Sequence, residues 1–221
     1  MNNSKLPILS IEGNDLVLHP SKALYNETTS TLVVSDLHIG KSAHFRKNGI
    51  AIPSLANKNN FWKLVEVIEF FHPKRILFLG DVAHSHHNHE WDDFVDFLQQ
   101  YQSLEKVLVL GNHDIMKAEH YIQAGLNVHS ELNELGICWM HEAPEDNERA
   151  EFVISGHVHP SVLLKGAAGQ KLNLPCFYFG ERKGLVPAFG EFTGTYKIKP
   201  KADDRVWVIA ENKVIEVSKK T

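Results

Sequence analysis

The sequence predicts an α/β fold, and three features of the 221-residue chain lead to this prediction. In the first half, short apolar runs alternate with segments that carry apolar residues at helical spacing. In the second half, short apolar runs follow one another with little helix between them. Most runs stop at polar or turn-forming residues, as strands do. We therefore expect alternating strands and helices first, followed by a mostly β region.

In the first half, the pattern predicts several strands and two helices. The strands are expected at residues 8–11, 16–18, 23–25, 31–35, 75–79 and 106–110. One helix is expected from Ser54, a plausible N-cap, to Phe71, with Leu64 and Ile68 on its apolar stripe. The other is expected over residues 91–101, where apolar residues again share one face.

The second half is predicted to be built almost entirely from strands. They are expected at residues 136–140, 152–155, 161–164, 176–179, 183–186, 196–198, 206–209 and 213–217. With 43% apolar residues the chain can bury one sizeable core, so a single domain over residues 1–221 is expected.

Composition narrows the class of protein further. Cys138 and Cys176 are too few for a disulfide framework, which favours a reducing compartment and predicts a cytoplasmic protein. The sequence has neither a signal peptide pattern nor an apolar run long enough to cross a membrane. A formal net charge of -4 argues against a globally basic nucleic-acid binder, and no basic stripe is visible.

Five predicted strands each end on residues that commonly bind metals. These residues are Asp36 and His38, then Asp81, then Asn112-His113-Asp114, then His141, and finally His157 and His159. In open α/β sheets the loops at the carboxyl ends of the strands converge on one crevice. If the segments are extended, residues i and i+2 point the same way, so each Asp-x-His or His-x-His pair would face that crevice together. Carboxylate, imidazole and amide donors without thiolates suit Mn, Fe or Zn.

Each of these short motifs alone has an ordinary structural explanation. Gly80-Asp81 alone is usually a turn, and Asn112 or Asp114 could cap a helix. Their occurrence in order, each after a buried strand, favours a metal site instead.

The order DLH, GD, GNHD, H and GHVH, between residues 36 and 159, resembles the calcineurin-like metallophosphoesterases. The resemblance implies a four-layer αββα sandwich of two mixed β-sheets flanked by helices. It also implies two divalent metal ions, most often Mn, with Fe, Zn or Mg possible, and a water between them that attacks phosphorus. One ion would be held by Asp36, His38, Asp81 and His159, the other by Asp81, Asn112, His141 and His157. Asp81 would bridge the two ions.

The same resemblance assigns catalytic roles to His113 and Asp114. His113 matches a position used to protonate the leaving group or to contact phosphate, and Asp114 would orient it. The alternative is that His113 only shapes the turn and Asp114 caps the next helix.

Four further residues are candidates for substrate binding. Lys41, His44 and Arg46 follow the first ligand pair and could receive a phosphate, although a solvated helix face is an alternative. His84 is the fourth candidate, and it begins a histidine-rich stretch that could equally be a loop binding stray metal.

Outside the ligands, SDLHIGKSAHFRKNGIAIP and LPCFYFGERKGLVPAFGEFTG resemble the bacterial ligase-associated DNA damage response endonucleases. This implies a phosphodiesterase that cuts DNA, with a DNA ligase and a helicase as pathway partners in DNA repair. Gly80-Asp-Val-Ala lacks the arginine that protein phosphatases usually carry there. Two alternatives stay open: a small-molecule phosphodiesterase or nucleotidase acting on phosphomonoesters, and a non-catalytic module.

Overall fold

The structure is a computed structural model that describes residues 6–40, 55–84, 87–144, 149–166, 169–191 and 193–217, with only the backbone given for 55–58. The helices in these ranges are α1 (Leu55–Phe71), α2 (His89–Gln99) and α3 (Ala118–Gln123). The strands in the first half are β1 (Ile8–Ile11), β2 (Asn14–His19), β3 (Ala23–Asn26), β4 (Thr31–Val34), β5 (Arg75–Leu79), β6 (Glu105–Val109) and β7 (Asn127–His129). Those in the second half are β8 (Leu132–Glu134), β9 (Ile137–Met140), β10 (Phe152–Ser155), β11 (Pro160–Lys165), β12 (Lys171–Phe179), β13 (Lys183–Leu185), β14 (Tyr196–Lys197), β15 (Arg205–Ala210) and β16 (Lys213–Glu216).

The first sheet has seven strands in the order β1 to β7. Strands β1 to β4 form an antiparallel meander, whereas β4, β5, β6 and β7 are parallel. Parallel neighbours need crossover connections, and the chain supplies α1, α2 and α3 between them. The carboxyl ends of β4, β5 and β6 therefore lie side by side at one edge of this sheet.

The second sheet has nine strands and is also mixed. Strands β9, β10 and β13 are parallel to one another, while β12 pairs antiparallel with β11, β13 and β15. The strands β9 and β10 end beside each other, as β4 and β5 do in the first sheet. Both sheets thus deliver the ends of parallel strands to the site described below.

The two sheets pack face to face. Val33 and Leu77 of the first sheet belong to the same core as Trp139, Ile154 and Phe177 of the second. Alternate residues of the first sheet point the other way, so that Leu32, Val34 and Phe78 pack under the three helices. This confirms the predicted fold class: two mixed β-sheets in a sandwich with flanking helices.

All three described helices pack on the first sheet. On the outer face of the second sheet, Val162, Cys176, Val206 and Val208 form a smaller apolar cluster against flanking residues such as Val217. Both cysteines are buried and unpaired. None of the described helices is long and apolar enough to span a membrane.

The sequence pattern missed three short elements between residues 118 and 134. Helix α3 has only six residues, too few to show a helical period. Strands β7 and β8 have three residues each, carry Asn, His and Glu side chains, and have no fully buried residue. These strands form because each pairs with a longer neighbour, β6 and β9 respectively. The predicted N-cap Ser54 lies outside the described residues.

Candidate metal centre

Two groups of side chains that could hold a metal ion lie at the carboxyl ends of the parallel strands. The first group is Asp36, His38 and His159, and the second is Asp81, His141 and His157. Within each group one donor atom from every residue lies within 4.8 Å of the others. Backbone hydrogen bonds align the loops: Asp36 N donates to Gly80 O at 3.1 Å, and Gly156 N donates to His141 O at 3.1 Å. The sequence-predicted residues are therefore brought together.

The backbone that carries these side chains is left-handed, which corrects one step of the sequence argument. The φ angle is positive at Asp36 (55°), His38 (51°), Asp81 (52°), His157 (60°) and His159 (50°). An extended segment was expected to aim residues i and i+2 at one crevice, but these segments are not extended. Tight left-handed turns aim the side chains instead. Asp and His tolerate this region better than most residues, and such strain concentrates at functional sites.

In the first group, Asp36 and His159 face each other. His159 Nε2 lies 3.1 Å from Asp36 Oδ1. The other ring nitrogen, Nδ1, lies 3.0 Å from Gly194 O and donates to it, which leaves Nε2 as an acceptor. The second oxygen of Asp36, Oδ2, accepts hydrogen bonds from His157 N at 3.1 Å and from the Ser35 hydroxyl. One carboxylate oxygen and one imidazole nitrogen are thereby aimed at a common point.

The second group is arranged in the same way around His141. Its Nδ1 donates to Leu79 O at 3.1 Å, so in the neutral ring Nε2 is the nitrogen that could bind a metal. That Nε2 lies 3.4 Å from Asp81 Oδ1, 3.2 Å from Asn112 Oδ1 and 3.2 Å from His157 Nδ1. The predicted amide ligand, Asn112, therefore joins the second group.

These spacings fit a metal ion at each group. Two ligands bound at about 2.1 Å to one ion, at tetrahedral or octahedral angles, are about 3.0 to 3.4 Å apart. The contacts of His159 with Asp36, and of His141 with its three neighbours, all span 3.1 to 3.4 Å. In several of these pairs, a ring nitrogen that carries no proton would face another hydrogen-bond acceptor. Such a pair repels unless a proton or a metal cation lies between the two atoms. The donor set is oxygen and imidazole nitrogen, which suits Mn, Fe or Zn.

Asp81 lies between the two groups. Its Oδ1 faces His141 of the second group, and its Oδ2 lies 4.0 Å from Nε2 of His38 in the first. Oδ1 also accepts a hydrogen bond from His113 N at 2.8 Å, which fixes the orientation of the carboxylate. One carboxylate oxygen is therefore turned toward each group.

Burial and their opposite charges shift the pKa values of Asp81 and His141 in opposite directions. Burial acts to raise the pKa of Asp81, but a hydrogen bond and the positive charge of His141 outweigh it, so the pKa is lowered. Burial acts to lower the pKa of His141, but the hydrogen bond to Asp81 and the charges of Asp36 and Asp81 raise it overall. The ionised carboxylate of Asp81 and the protonated ring of His141 therefore stabilise each other.

Asp114 is buried and holds the loop that carries Asn112 and His113. Its Oδ1 accepts from Ala83 N and its Oδ2 from Gly111 N, both at 2.9 Å. Burial raises the pKa of Asp114 to about 6, against the opposing effect of these two hydrogen bonds. No described hydrogen bond joins the side chains of Asp114 and His113, so the orientation of His113 by Asp114 stays a prediction.

His113 and His84 lie next to the first group. The exposed ring of His113 is centred 4.7 Å from the ring of His84 and 5.7 Å from that of His38. His84 Nδ1 lies 3.3 Å from His38 Nδ1. Of the histidine-rich stretch, His84 is therefore beside the site, whereas His87 pairs with Asp92 at 2.9 Å. The candidates Lys41, His44 and Arg46 lie outside the described residues.

A segment that the sequence analysis did not connect with the metal ligands supports the first group. Within residues 187–194, Phe189 N donates to Ser35 O at 2.8 Å and Gly190 N donates to Asp36 O at 3.1 Å. Lys63 of α1 donates to Phe189 O at 2.7 Å, which anchors the segment on the helix. The same segment supplies Gly194 O, which binds His159. The local sequence pattern could not show this role, because the contacts of Phe189 and Gly190 bridge more than a hundred residues and that of Gly194 bridges 35.

Substitution of Gly190 is expected to damage the first group selectively. A Cβ at Gly190 would lie 2.6 Å from Leu37 O and 2.8 Å from Asp36 O, whereas a Cβ at Gly194 would meet nothing within 4 Å. We expect Gly190→Ala to weaken metal binding and to lower phosphoesterase activity by about ten- to a hundredfold, as loss of a supporting contact does. Gly194→Ala, as the control, should be close to wild type. Equal activities of the two variants would contradict this role of the segment.

A two-sheet sandwich with two candidate metal sites at its carboxyl edge is typical of metal-dependent phosphoesterases. The chain belongs to the calcineurin-like phosphoesterase family, whose model matches residues 29–143. It is thus a metal-dependent phosphoesterase, a hydrolase.

Among solved structures, the chain is similar to the Pseudomonas putida nuclease MPE. The identity is 27%, the match covers 96% of this chain and 100% of that one, and the TM-score is 0.81. A phosphoesterase from E. coli, Yfce, matches with 11% identity over 85% of this chain and 98% of that one, with a TM-score of 0.44. A search of curated proteins found no match.

Proposed function

We propose that this phosphoesterase is a phosphodiesterase with two metal ions that cuts DNA as an endonuclease. The observation that carries the proposal is the position of Asp81 between two groups of ligands, with one oxygen turned toward each. The choice of DNA is supported by the similarity to a nuclease over nearly the whole chain, at 27% identity. The sequence resemblance to the ligase-associated endonucleases supports the same substrate, and implies a DNA ligase and a helicase as pathway partners.

The proposed assignment divides the ligands as the structure groups them. Asp36, His38 and His159 would hold one ion, and Asn112, His141 and His157 would hold the other, with Asp81 shared. Two divalent ions in such a site lower the pKa of a bound water and neutralise phosphoryl oxygens. Mn is the proposed ion, with Fe, Zn or Mg as alternatives, because the donors are oxygen and imidazole nitrogen without thiolate.

Most of the remaining candidate residues are proposed to act on the substrate itself, and Asp114 supports them. The exposed ring of His113 lies at the mouth of the site, where it reaches the leaving group or a phosphate oxygen. His84, beside it, contacts the substrate from the same side. Asp114 keeps the loop in place through Gly111 N and Ala83 N. Lys41, His44 and Arg46 are proposed to receive phosphates that flank the one being cut.

The proposal is tested with a panel of phosphoesters assayed with Mn, Mg, Zn and Fe. We expect hydrolysis of an aryl phosphodiester and cleavage of single-stranded DNA with Mn, but little hydrolysis of phosphomonoesters. A polymer backbone presents one charge per phosphodiester, which two cations neutralise without many further basic groups. Monoesterase activity above diesterase activity at saturating Mn, without DNA cleavage, would reject the proposal and favour a nucleotidase.

His113→Ala is expected to slow turnover most for substrates with poor leaving groups. An aryl oxide leaves without a proton, whereas an alkoxide needs one, and general acids contribute about a hundredfold or more in such cases. The backbone N–H of residue 113 still binds Asp81 in this variant, so both ions should stay bound. Rates are compared for a p-nitrophenyl diester and an alkyl diester. Equal slowing of both would replace the acid role with a phosphate contact.

A further inference from the structure

Three strands form a ribbon that begins at a metal-centre residue. The ribbon consists of β14, β11 and the first half of β12, and β11 starts directly after His159. Tyr196 N donates to His159 O at 2.9 Å, which ties β14 to the same point. The ribbon therefore leads away from the site that is proposed to cut DNA.

Strand register places three lysines on one face of the ribbon. Lys165 pairs with Lys171, and Ser161 pairs with Lys197. Paired residues point to the same side of a sheet, as do residues i and i+2 along a strand. Since Ser161 and Lys165 are four apart on β11, all three lysines share a face. We call this the lysine face, and Lys165, Lys171 and Lys197 are all exposed on it.

The lysine face continues the inner face of the second sheet. On β12, Phe177 lies six residues beyond Lys171, on the same side, and it packs in the core between the two sheets. Val162 and Cys176 point the opposite way, into the cluster on the outer face. The lysines therefore lie on the side of the second sheet that is turned toward the first sheet, and not on its outer face.

Local charge on these strands differs sharply from that of the whole chain. Residues 156–180 and 192–202 contain no Asp or Glu, although the chain has 27 in total. The same two segments contain five lysines. No ion pair of Lys165, Lys171 or Lys197 is found among the described residues. The net charge of -4 therefore conceals a local excess of positive charge on these strands.

We propose that the lysine face is a docking surface for the phosphate backbone of a nucleic-acid strand. The proposal rests on the proposed function, since the strand bound there is the one whose phosphodiester enters the metal centre. Lys165 is six residues beyond His159, about 20 Å at about 3.3 Å per residue. That span corresponds to about six nucleotides at about 3.4 Å each, and fewer in an extended strand. Lys197 lies nearer the site, because it pairs with Ser161, two residues beyond His159. A strand of several nucleotides therefore reaches all three lysines, whereas a dinucleotide does not reach Lys165 and Lys171.

The test compares two triple variants with the same change in charge. One is Lys165→Gln/Lys171→Gln/Lys197→Gln. The control is Lys74→Gln/Lys183→Gln/Lys213→Gln, in which all three lysines are exposed, and Lys74 and Lys183 lie at or next to the amino ends of β5 and β13. Binding of a labelled oligothymidylate of about 12 nucleotides is measured in EDTA over a range of salt concentrations. Aryl diesterase activity is measured in parallel with Mn.

The lysine-face variant should bind the oligonucleotide at least about tenfold more weakly at about 0.1 M salt. The slope of log K against log salt concentration should be shallower by about two, since each phosphate contact on a single strand contributes about 0.7 to that slope. The control should bind like wild type, and all three proteins should hydrolyse the aryl diester equally. Equal binding by both variants, or no binding by wild type, would overturn the inference. Binding to anionic phospholipid vesicles is measured for the same three proteins. If the lysine-face variant lost binding to the vesicles but not to the oligonucleotide, the surface would be assigned to a membrane and the inference overturned. Oligonucleotide binding without any diester hydrolysis by wild type would reject the proposed function alone.

Discussion

Asp81→Asn is expected to abolish phosphodiester hydrolysis, with a loss of at least about a thousandfold. Among the described residues, Asp81 is the carboxylate that faces both groups of candidate ligands, so its charge would act on both proposed ions at once. A bound pair of ions supplies several kcal/mol of transition-state stabilisation, and each 1.36 kcal/mol corresponds to about tenfold in rate. Asparagine keeps an oxygen that can accept from His113 N, so the loop should stay in place. The rate is measured on an aryl diester with saturating Mn.

Asp204→Asn is a matched control for this variant. Asp204 is also buried and also accepts a backbone hydrogen bond, from Lys201 N, but it directly precedes β15 and belongs to neither group of candidate ligands. Both variants lose one buried negative charge. We expect Asp204→Asn to keep nearly full activity even if its thermal stability falls. Retention of more than about a tenth of the wild-type rate by Asp81→Asn would be incompatible with a shared bridging carboxylate.

Gly80→Ala is expected to produce the second largest loss, at least about a hundredfold in rate. Gly80 has φ +77°, and an added Cβ would lie 2.1 Å from Nδ1 of His141. The ring would have to move away, and its hydrogen bond to Leu79 O would break. A displacement of about 1 Å in a catalytic group costs about a hundredfold in rate. Activity and metal content should fall together, and both are measured on the same preparation.

Gly13→Ala separates displacement of His141 from backbone strain. Gly13 has nearly the same φ, +76°, but an added Cβ there meets nothing within 4 Å. Alanine in the left-handed region costs about 1 to 2 kcal/mol, so both variants should unfold at a lower temperature than wild type. Only Gly80→Ala should lose activity. If both variants were active, the close approach of Gly80 to His141 would not matter for catalysis.

The elements of the fold could be predicted from sequence where the pattern was long enough. Helix α1 and strands such as β5 and β10 carry uninterrupted apolar patterns, and the predicted ranges agree closely with the structure. The candidate metal ligands that the structure brings together could be proposed from sequence because each follows a buried strand. The segment from α3 to β8 was missed because its elements have three to six residues, and β7 and β8 form by pairing with longer strands.

The details of the site depend on contacts that no local pattern contains. The left-handed backbone at His157 is accompanied by a hydrogen bond from His157 N to Asp36 Oδ2, across 121 positions of sequence. Gly194 O binds His159 from a segment 35 residues away. The basic surface was also missed, because Lys165, Lys171 and Lys197 are scattered in sequence and only strand register places them on one face.

The central claim, that two ions share this site, is tested most directly by counting them. The purified protein is saturated with Mn, freed of unbound metal, and analysed for Mn and protein in the same sample. Two ions per chain are predicted, because two complete groups of ligands are present, each with a carboxylate turned toward it. A value of one ion per chain at saturation, or none, would contradict the account.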